Sequence, residues 1–257
     1  MGEPARQAPA PEDSDLPSDD PFRLGWRERI VRLPDGRTEL RQIPLTADDL
    51  LDPRLGDHVT QNSWHIATVV TTYEMLSWRY ESHPGVFIAC DLKMIWGIRG
   101  LPNPAPDVAV IPGVRDKERM RRSFNVRREG TRPALVLEVV SDEPEHRSAD
   151  HLKKVRIYER AGIPEYLILD PPTTTDEACR LSGFRLNASR RYEPIDPDAE
   201  GRILSHTTGL WFAPQGRNLL LLDVATGERI LTASEARAEN ARLRAELARL
   251  KAARAGG

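Results

Sequence analysis

Three stretches decide the fold of this chain: Pro106-Asp107-Val-Ala-Val110, Pro133-Ala-Leu-Val-Leu-Glu138-Val-Val-Ser141, and the long run Asp150-His-Leu-Lys-Lys154-Val-Arg-Ile-Tyr158-Glu-Arg-Ala-Gly162-Ile-Pro-Glu165-Tyr-Leu-Ile-Leu-Asp170-Pro171. The first two are short, Val- and Leu-rich and bounded by Gly/Pro clusters, so they predict strands over Asp107–Ile111 and Ala134–Val140. Each carries one carboxylate. A carboxylate inside an apolar strand costs several kcal/mol or stays protonated unless something pairs with it. Two of them on neighbouring strands would repel unless a cation lay between, and a hard divalent ion such as Mg²⁺, held by few carboxylates and several waters, suits that arrangement. The third stretch predicts a helix over Ser148–Gly162, stopped by Gly162 and Pro164, and then a strand over Glu165–Leu169.

A lysine near the two acids could stabilise negative charge on a phosphate or help to deprotonate an attacking water. The position two residues after Glu138, on the same strand face, is Val140 and carries no charge. Asp150, Lys154 and Tyr158, however, stand at i, i+4 and i+8 on the following helix and form one polar stripe. Lys154 could therefore reach the acids from the helix; its alternative is an exposed lysine paired with Asp150.

Outward from this centre, Glu28–Leu33 and Arg37–Pro44 alternate about Asp35-Gly36 as a hairpin. Thr46 predicts an N-cap for a short helix through Leu51. Val59, Ile66, Val69, Val70, Tyr73, Leu76 and Tyr80 predict one amphipathic helix over His58–Tyr80. Val86–Cys90 and Leu92–Ile98 read as strands, as do Arg180–Leu186, Arg191–Ile195, Trp211–Phe212 and Asn218–Val224. The order of hairpin, helix, strands, helix and strands makes an α/β protein with a mixed β-sheet flanked by helices.

The quoted stretches resemble the Uma-two family of the PD-(D/E)xK nuclease superfamily, in order over about Thr46–Val224. That resemblance implies a restriction-endonuclease-like core in which Asp107, Glu138 and the carbonyl of Val139 bind Mg²⁺, with Mn²⁺ as an alternative. It implies that Lys154 is the catalytic lysine, moved from strand to helix, and that His65 opens the long helix beside the site. Asp91 stands where related sequences often carry a further acid. The implied function is metal-dependent hydrolysis of nucleic-acid phosphodiesters, DNA in the first place. The alternative is a non-catalytic platform that binds nucleic acid or protein and is dimerised by its tail.

The remaining composition sets the context. The chain has 257 residues, 39% hydrophobic and 30% charged, with a formal net charge of −2. That balance argues against a histone-like coating protein. No apolar run is long enough to span a membrane. Residues 1–21, acidic and rich in Pro and Ala, predict a disordered tail without the apolar segment of a secretory signal. Residues 22–230 are expected to form the nuclease domain and 231–257 a C-terminal helix. Cys90 and Cys179 lack partners at metal-ligand spacing and fit a reducing cytoplasm. Arg115–Arg132 holds eight Arg/Lys against three acids, a candidate for phosphate contacts. In the tail, Ala233, Ala236, Asn240, Leu243, Leu247, Leu250 and Arg254 step alternately by three and four, a heptad pattern that predicts a short coiled coil and, with the core, a homodimer.

Overall fold

The computed structural model describes residues 20–141, 144–174 and 177–255. The acidic stretch predicted to be disordered thus lies, up to Asp19, outside the described residues. The chain divides into two compact units. The first takes the described residues up to Thr46 together with Gly56–Thr60, and the second takes Ala47–Leu55 and everything from Gln61 onward.

In the first unit, β1 (Gly25–Arg32) pairs antiparallel with β2 (Thr38–Pro44) and on its other edge with β3 (Asp57–Val59). The hairpin about Asp35-Gly36 is as expected. The third strand was not, because residues 58–62 were predicted to be helical. Gly25 explains how β3 comes so close. Its φ is +110°, and a Cβ there would lie 1.9 Å from the carbonyl oxygen of His58, so only glycine lets the two backbones meet.

The first helix of the second unit is α1 (Ser63–Arg79), capped by the Asn62 side chain, which accepts from the His65 N–H at 2.8 Å. Its six-stranded sheet contains β4 (Val86–Cys90), β6 (Val108–Pro112), β8 (Leu135–Val139), β9 (Glu165–Asp170), β10 (Arg180–Leu186) and β11 (Tyr192–Pro194). Between these strands lie β5 (Met94–Ile95) and β7 (Phe124–Asn125), a small parallel pair, and α2 (Val126–Glu129). The sheet order is β11-β10-β9-β8-β6-β4. All neighbours are antiparallel except β8 and β9, which are parallel. A parallel pair needs a crossover, which is supplied by α3 (Pro144–Ser148), a π-helical segment (Ala149–Lys154) and α4 (Val155–Ala161). A four-stranded antiparallel sheet follows: β12 (Ile203–Ser205), β13 (Leu210–Gln215), β14 (Asn218–Asp223) and β15 (Arg229–Ile230). The chain then enters α5 (Ala233–Ala255).

The main sheet is covered on both faces, so β8 and β9 are buried at every position. Leu135, Leu137 and Val139 point into one core with Val69 and Leu76 of α1 and Phe212 and Leu221 of the second sheet. Val136 and Val140 point into the other core, with Ile157 and Tyr158 of α4 and Tyr166 of β9. Glu138 shares that second face by the two-residue period. The helix α1–strands–α4–β9 order around a mixed sheet is the expected restriction-endonuclease-like α/β core.

Two further expectations are corrected. Thr46–Leu51 forms turns, not a helix; six residues before Pro53 return too few hydrogen bonds to offset helix nucleation. The buried face of α1 is His65, Thr68, Val69, Thr72, Met75 and Leu76, while Ile66, Val70 and Tyr73 face outward. Thr72 is tolerated inside because its hydroxyl donates to the Thr68 carbonyl at 2.8 Å. Hydropathy alone therefore picked part of the wrong face.

Candidate active site

The register of the sheet sets two acids side by side. Val108 lies opposite Leu137 in an antiparallel pair, so Asp107 comes level with Glu138. Both are buried, Asp107 at 8% and Glu138 at 0% relative exposure. Oδ2 of Asp107 accepts from the Val139 N–H at 2.7 Å, and the Asp107 N–H points at Oε2 of Glu138 at 3.4 Å. Each acid is thus held partly by the other strand's backbone.

The crossover brings in the cation. The π-helical segment carries Lys154, whose ammonium lies 3.0 Å from Oε2 of Glu138 and 2.7 Å from Oδ1 of Asp150, the latter without the alignment of a hydrogen bond. The alternative of an exposed lysine does not hold, because only 11% of its side chain is exposed. One turn on, the Tyr158 hydroxyl donates to Oε1 of Glu138 at 2.5 Å. Lys154 and Tyr158 therefore occupy both oxygens of Glu138, and the stripe of Asp150, Lys154 and Tyr158 faces inward as a unit. The stripe is legible in the sequence as spacing, but the engagement of Tyr158 with Glu138 is not.

From α1, Nε2 of His65 lies 3.5 Å from Oδ1 of Asp107, and neither ring nitrogen completes a hydrogen bond among the described residues. Asp91 follows β4 with a φ of +45°, and its N–H donates to the Asp107 carbonyl at 3.2 Å. Asp91 keeps part of its surface in solvent, in contrast to Asp107 and Glu138. His146 of α3 shares a 2.7 Å hydrogen bond with the Ser141 hydroxyl, while its Nε2 is buried without a partner among the described residues.

The charges are strongly coupled. Burial raises Glu138 well above the usual carboxylate range, and the neighbouring Asp107 and Asp150 add to the rise while Lys154 opposes it. Burial likewise raises Asp150 against the pull of Lys154. Burial would raise Asp107 too, but the His65 ring and the Lys154 charge hold it below its ordinary value. Burial disfavours the imidazolium of His65, yet Asp107 raises that ring's pKa on balance. Asp91 is pushed up to about 6 by the protein mass around it and by Asp107. Burial would lower Lys154, but Asp150 and Glu138 hold it above its ordinary value. Carboxyl groups therefore outnumber cations here, and the excess is relieved by protonation or by an added positive charge.

The basic run between the acid strands is less available than its composition suggested. Arg119 and Arg121 both pair with Glu129, Arg121 also lies over the rings of Phe87 and Phe124, and Lys117 donates to the carbonyl of Glu81. Glu165 and Asp170 have structural partners: Glu165 pairs with Arg185, and Asp170 with His151 and Arg147.

A family model described as "Putative restriction endonuclease", Uma2, matches residues 56–220. The chain belongs to the Uma2 family. The matched span contains all six residues singled out from the sequence, namely His65, Asp91, Asp107, Glu138, Val139 and Lys154, whereas β1, β2 and α5 lie outside it. No curated protein matches the chain. Among solved structures, a protein of Anabaena variabilis described as "a putative nuclease belonging to DUF820" is 13% identical, with a TM-score of 0.43 over 64% of this chain and 90% of that one. No helix among the described residues of this Uma2 chain is long and apolar enough to cross a membrane.

Proposed function

We propose that this Uma2 protein is a divalent-metal-dependent endonuclease acting on nucleic acid, DNA in the first place, with Asp107, Glu138, Lys154 and His65 as its working side chains. The observation that carries this reading is the pair Asp107 and Glu138, buried level with each other on adjacent strands and met by the ammonium of Lys154.

The donor set fits a hard cation. Among the described residues no group of three or more His, Cys, Asp or Glu is arranged to hold a metal ion, which argues against an all-protein cage. Mg²⁺ prefers one or two carboxylates with water in the remaining positions, and the excess of buried carboxyl groups calls for added positive charge. Asp107, Glu138 and the Val139 carbonyl would hold Mg²⁺ or Mn²⁺, with Asp91 as the further acid at the rim. The bound ion supplies the Lewis acid for phosphodiester hydrolysis.

The chain's own residues do the rest. Lys154 places a permanent positive charge where a non-bridging phosphate oxygen gains charge as water adds and the P–O bond breaks. Asp150 and Tyr158 fix Lys154 and Glu138, so that little reorganisation is needed. His65 keeps Asp107 ionised by standing beside it.

Two measurements test the reading together. Mg²⁺ or Mn²⁺ is expected to raise the melting temperature by mass action, and the Asp107→Ala/Glu138→Ala variant to lose that rise while still unfolding cooperatively. The wild type is expected to cleave single- or double-stranded DNA only with the metal present, and Glu138→Ala not at all. An unchanged metal-dependent rise in the double variant would refute the site.

A further inference from the structure

Away from the acids, the second unit has a cavity of about 300 Å³ walled by Trp96, Gly97, Val126, Arg127, Arg132 and Ala161. Its size is at the lower end of small-molecule pockets, enough for one nucleotide. Three features of its walls and their surroundings point to an anion; Gly162 and Arg190 stand beside the lining residues Ala161 and Arg132 and do not themselves line the cavity.

First, the indole N–H of Trp96 has no hydrogen-bond partner among the described residues, although the residue is only 3% exposed. A buried donor left unmade costs free energy that a bound acceptor would recover. Second, two glycines make seats for arginines. A Cβ on Gly97 would lie 2.6 Å from the Arg127 side chain, and one on Gly162 would lie 2.7 Å from Nη1 of Arg132 and 2.6 Å from Nη2 of Arg190. The guanidinium groups of Arg132 and Arg190 therefore converge over Gly162, where any side chain would displace them. Third, none of Arg127, Arg132 and Arg190 is paired with a carboxylate among the described residues. Arg132 spends one N–H on the Ala161 carbonyl at 2.8 Å, which leaves the rest of its fork to donate. Arg119 and Arg121 nearby in sequence are, by contrast, neutralised by Glu129.

We propose that this pocket binds the phosphate ester of a nucleotide, with Arg127 and Arg132 as the phosphate donors and the Trp96 N–H as a further donor. Guanidinium forks suit phosphate oxygens in geometry and charge. The pocket is distinct from the acid cluster: none of its lining residues is one of the acids, and Tyr158, whose ring meets that of Trp96 at 86° with centroids 6.1 Å apart, stands between Trp96 and Glu138 in the chain of contacts. The source of the phosphate is either a free nucleotide or the backbone of a bound strand. The strand source rests on the nuclease reading, and the nucleotide source does not.

Binding is measured in EDTA, with 2′-deoxyadenosine 5′-monophosphate in one arm and a short single-stranded oligodeoxynucleotide in the other. In the arm that binds, Arg127→Gln and Arg132→Gln are each expected to weaken affinity about tenfold or more. Trp96→Phe, which keeps the packing on Tyr158, is expected to weaken it by a smaller factor. Lys153→Met, whose exposed pair with Asp48 lies outside the pocket, is expected to leave nucleotide binding unchanged. Loss of the Ala161 bond could lower the stability of Arg132→Gln; Arg127→Gln, which gives up no hydrogen bond or ion pair among the described residues, then decides. Binding of the mononucleotide identifies a nucleotide site, and binding of the oligonucleotide alone identifies a backbone subsite. Wild-type affinity in both arginine variants, or no binding of either probe, overturns the proposal. Failure of the nuclease reading has a different signature, namely intact binding in EDTA with no metal-dependent cleavage by the wild type.

Discussion

Lys154 shows how far one residue's surroundings change what its removal does. A surface lysine could be replaced by methionine at little cost, since both are good helix formers. Here the ammonium is the counter-charge of two buried carboxyl groups, Glu138 and Asp150, and breaking a buried pair by removing one partner typically costs about 3–5 kcal/mol. Both carboxyls already titrate above their ordinary values because of burial, with Lys154 opposing. Lys154→Met raises them further. Groups whose folded pKa is raised lend stability that is full below the unfolded value, about 4, and lost as the pH climbs through the folded one. Urea unfolding should therefore show Lys154→Met close to wild type near pH 4 and clearly weaker at pH 8. Cleavage should be lost at every pH. Lys153→Met is the control: its exposed pair with Asp48 is of a kind worth at most about 1 kcal/mol, so stability and activity should both persist. Equal effects of the two variants would show that the buried pairing of Lys154 does not matter.

Among the elements, α5 makes the clearest separate expectation. Its start is a capping box: the Thr232 hydroxyl accepts from the Glu235 N–H at 3.3 Å, and the Glu235 carboxylate accepts from the Thr232 N–H at 2.9 Å. This T-x-x-E signature stands in the sequence as Thr232-Ala-Ser-Glu235, and it fixes where the helix begins. Further along, Leu243, Leu247 and Leu250 are 51%, 52% and 59% exposed, so within one chain this seam contributes nothing to a core. Asn240 on the same seam donates to the Ala236 carbonyl of its own helix. Pairing two tails would bury each leucine for roughly 1.5–3 kcal/mol, reduced by the ordering of the helix ends. Sedimentation at graded concentrations is expected to show the full chain shifting to dimer and a chain ending at Leu231 remaining nearer monomer. Identical sedimentation of the two would assign dimerisation, if any, to another surface.

At the scale of the whole second unit, the two sheets are joined by a buried polar knot as well as by apolar packing. Glu165 of β9 pairs with Arg185 of β10 at 2.9 Å and accepts from the Ser205 and Thr207 hydroxyls, each at 2.6 Å, and from the His206 and Thr207 N–H groups. Ser205 ends β12, so the carboxylate links the main sheet to the four-stranded one. Burial opposes ionisation of Glu165, but the Ser205 and Thr207 donors and the backbone N–H groups hold its pKa below the ordinary value. A depressed carboxyl gives stability that is present above its unfolded pKa and is lost as the pH falls through the folded one. Glu165→Gln should accordingly be destabilised by about 2–4 kcal/mol at pH 7, and the gap from wild type should close as the pH falls below about 4. Chemical denaturation of both proteins at pH 7 and pH 3.5 measures it. A gap that stays constant with pH would mean that the charge of Glu165 is not what joins the sheets.

The sequence by itself determined the elements whose signals are local. The strands with Asp107 and Glu138, the Gly162 stop, the hairpin at Asp35-Gly36 and the Asp150–Lys154–Tyr158 stripe all follow from period, turn chemistry and spacing, which need no knowledge of the rest of the chain. The family was legible for the same reason, because its diagnostic residues lie in three contiguous runs. Tertiary structure alone decided which face of α1 is buried, since Thr68 and Thr72 satisfy their hydroxyls within the helix and His65 turns toward Asp107. It turned residues 57–59 into a strand, because Gly25 lets β1 approach. It put Tyr158 on Glu138, and it left Trp96, Arg127 and Arg132 around one cavity while Glu129 took up Arg119 and Arg121. Each of these depends on residues far apart in the chain meeting across a sheet or a helix face, and the energy of such a meeting belongs to the pair, not to either residue's place in the sequence.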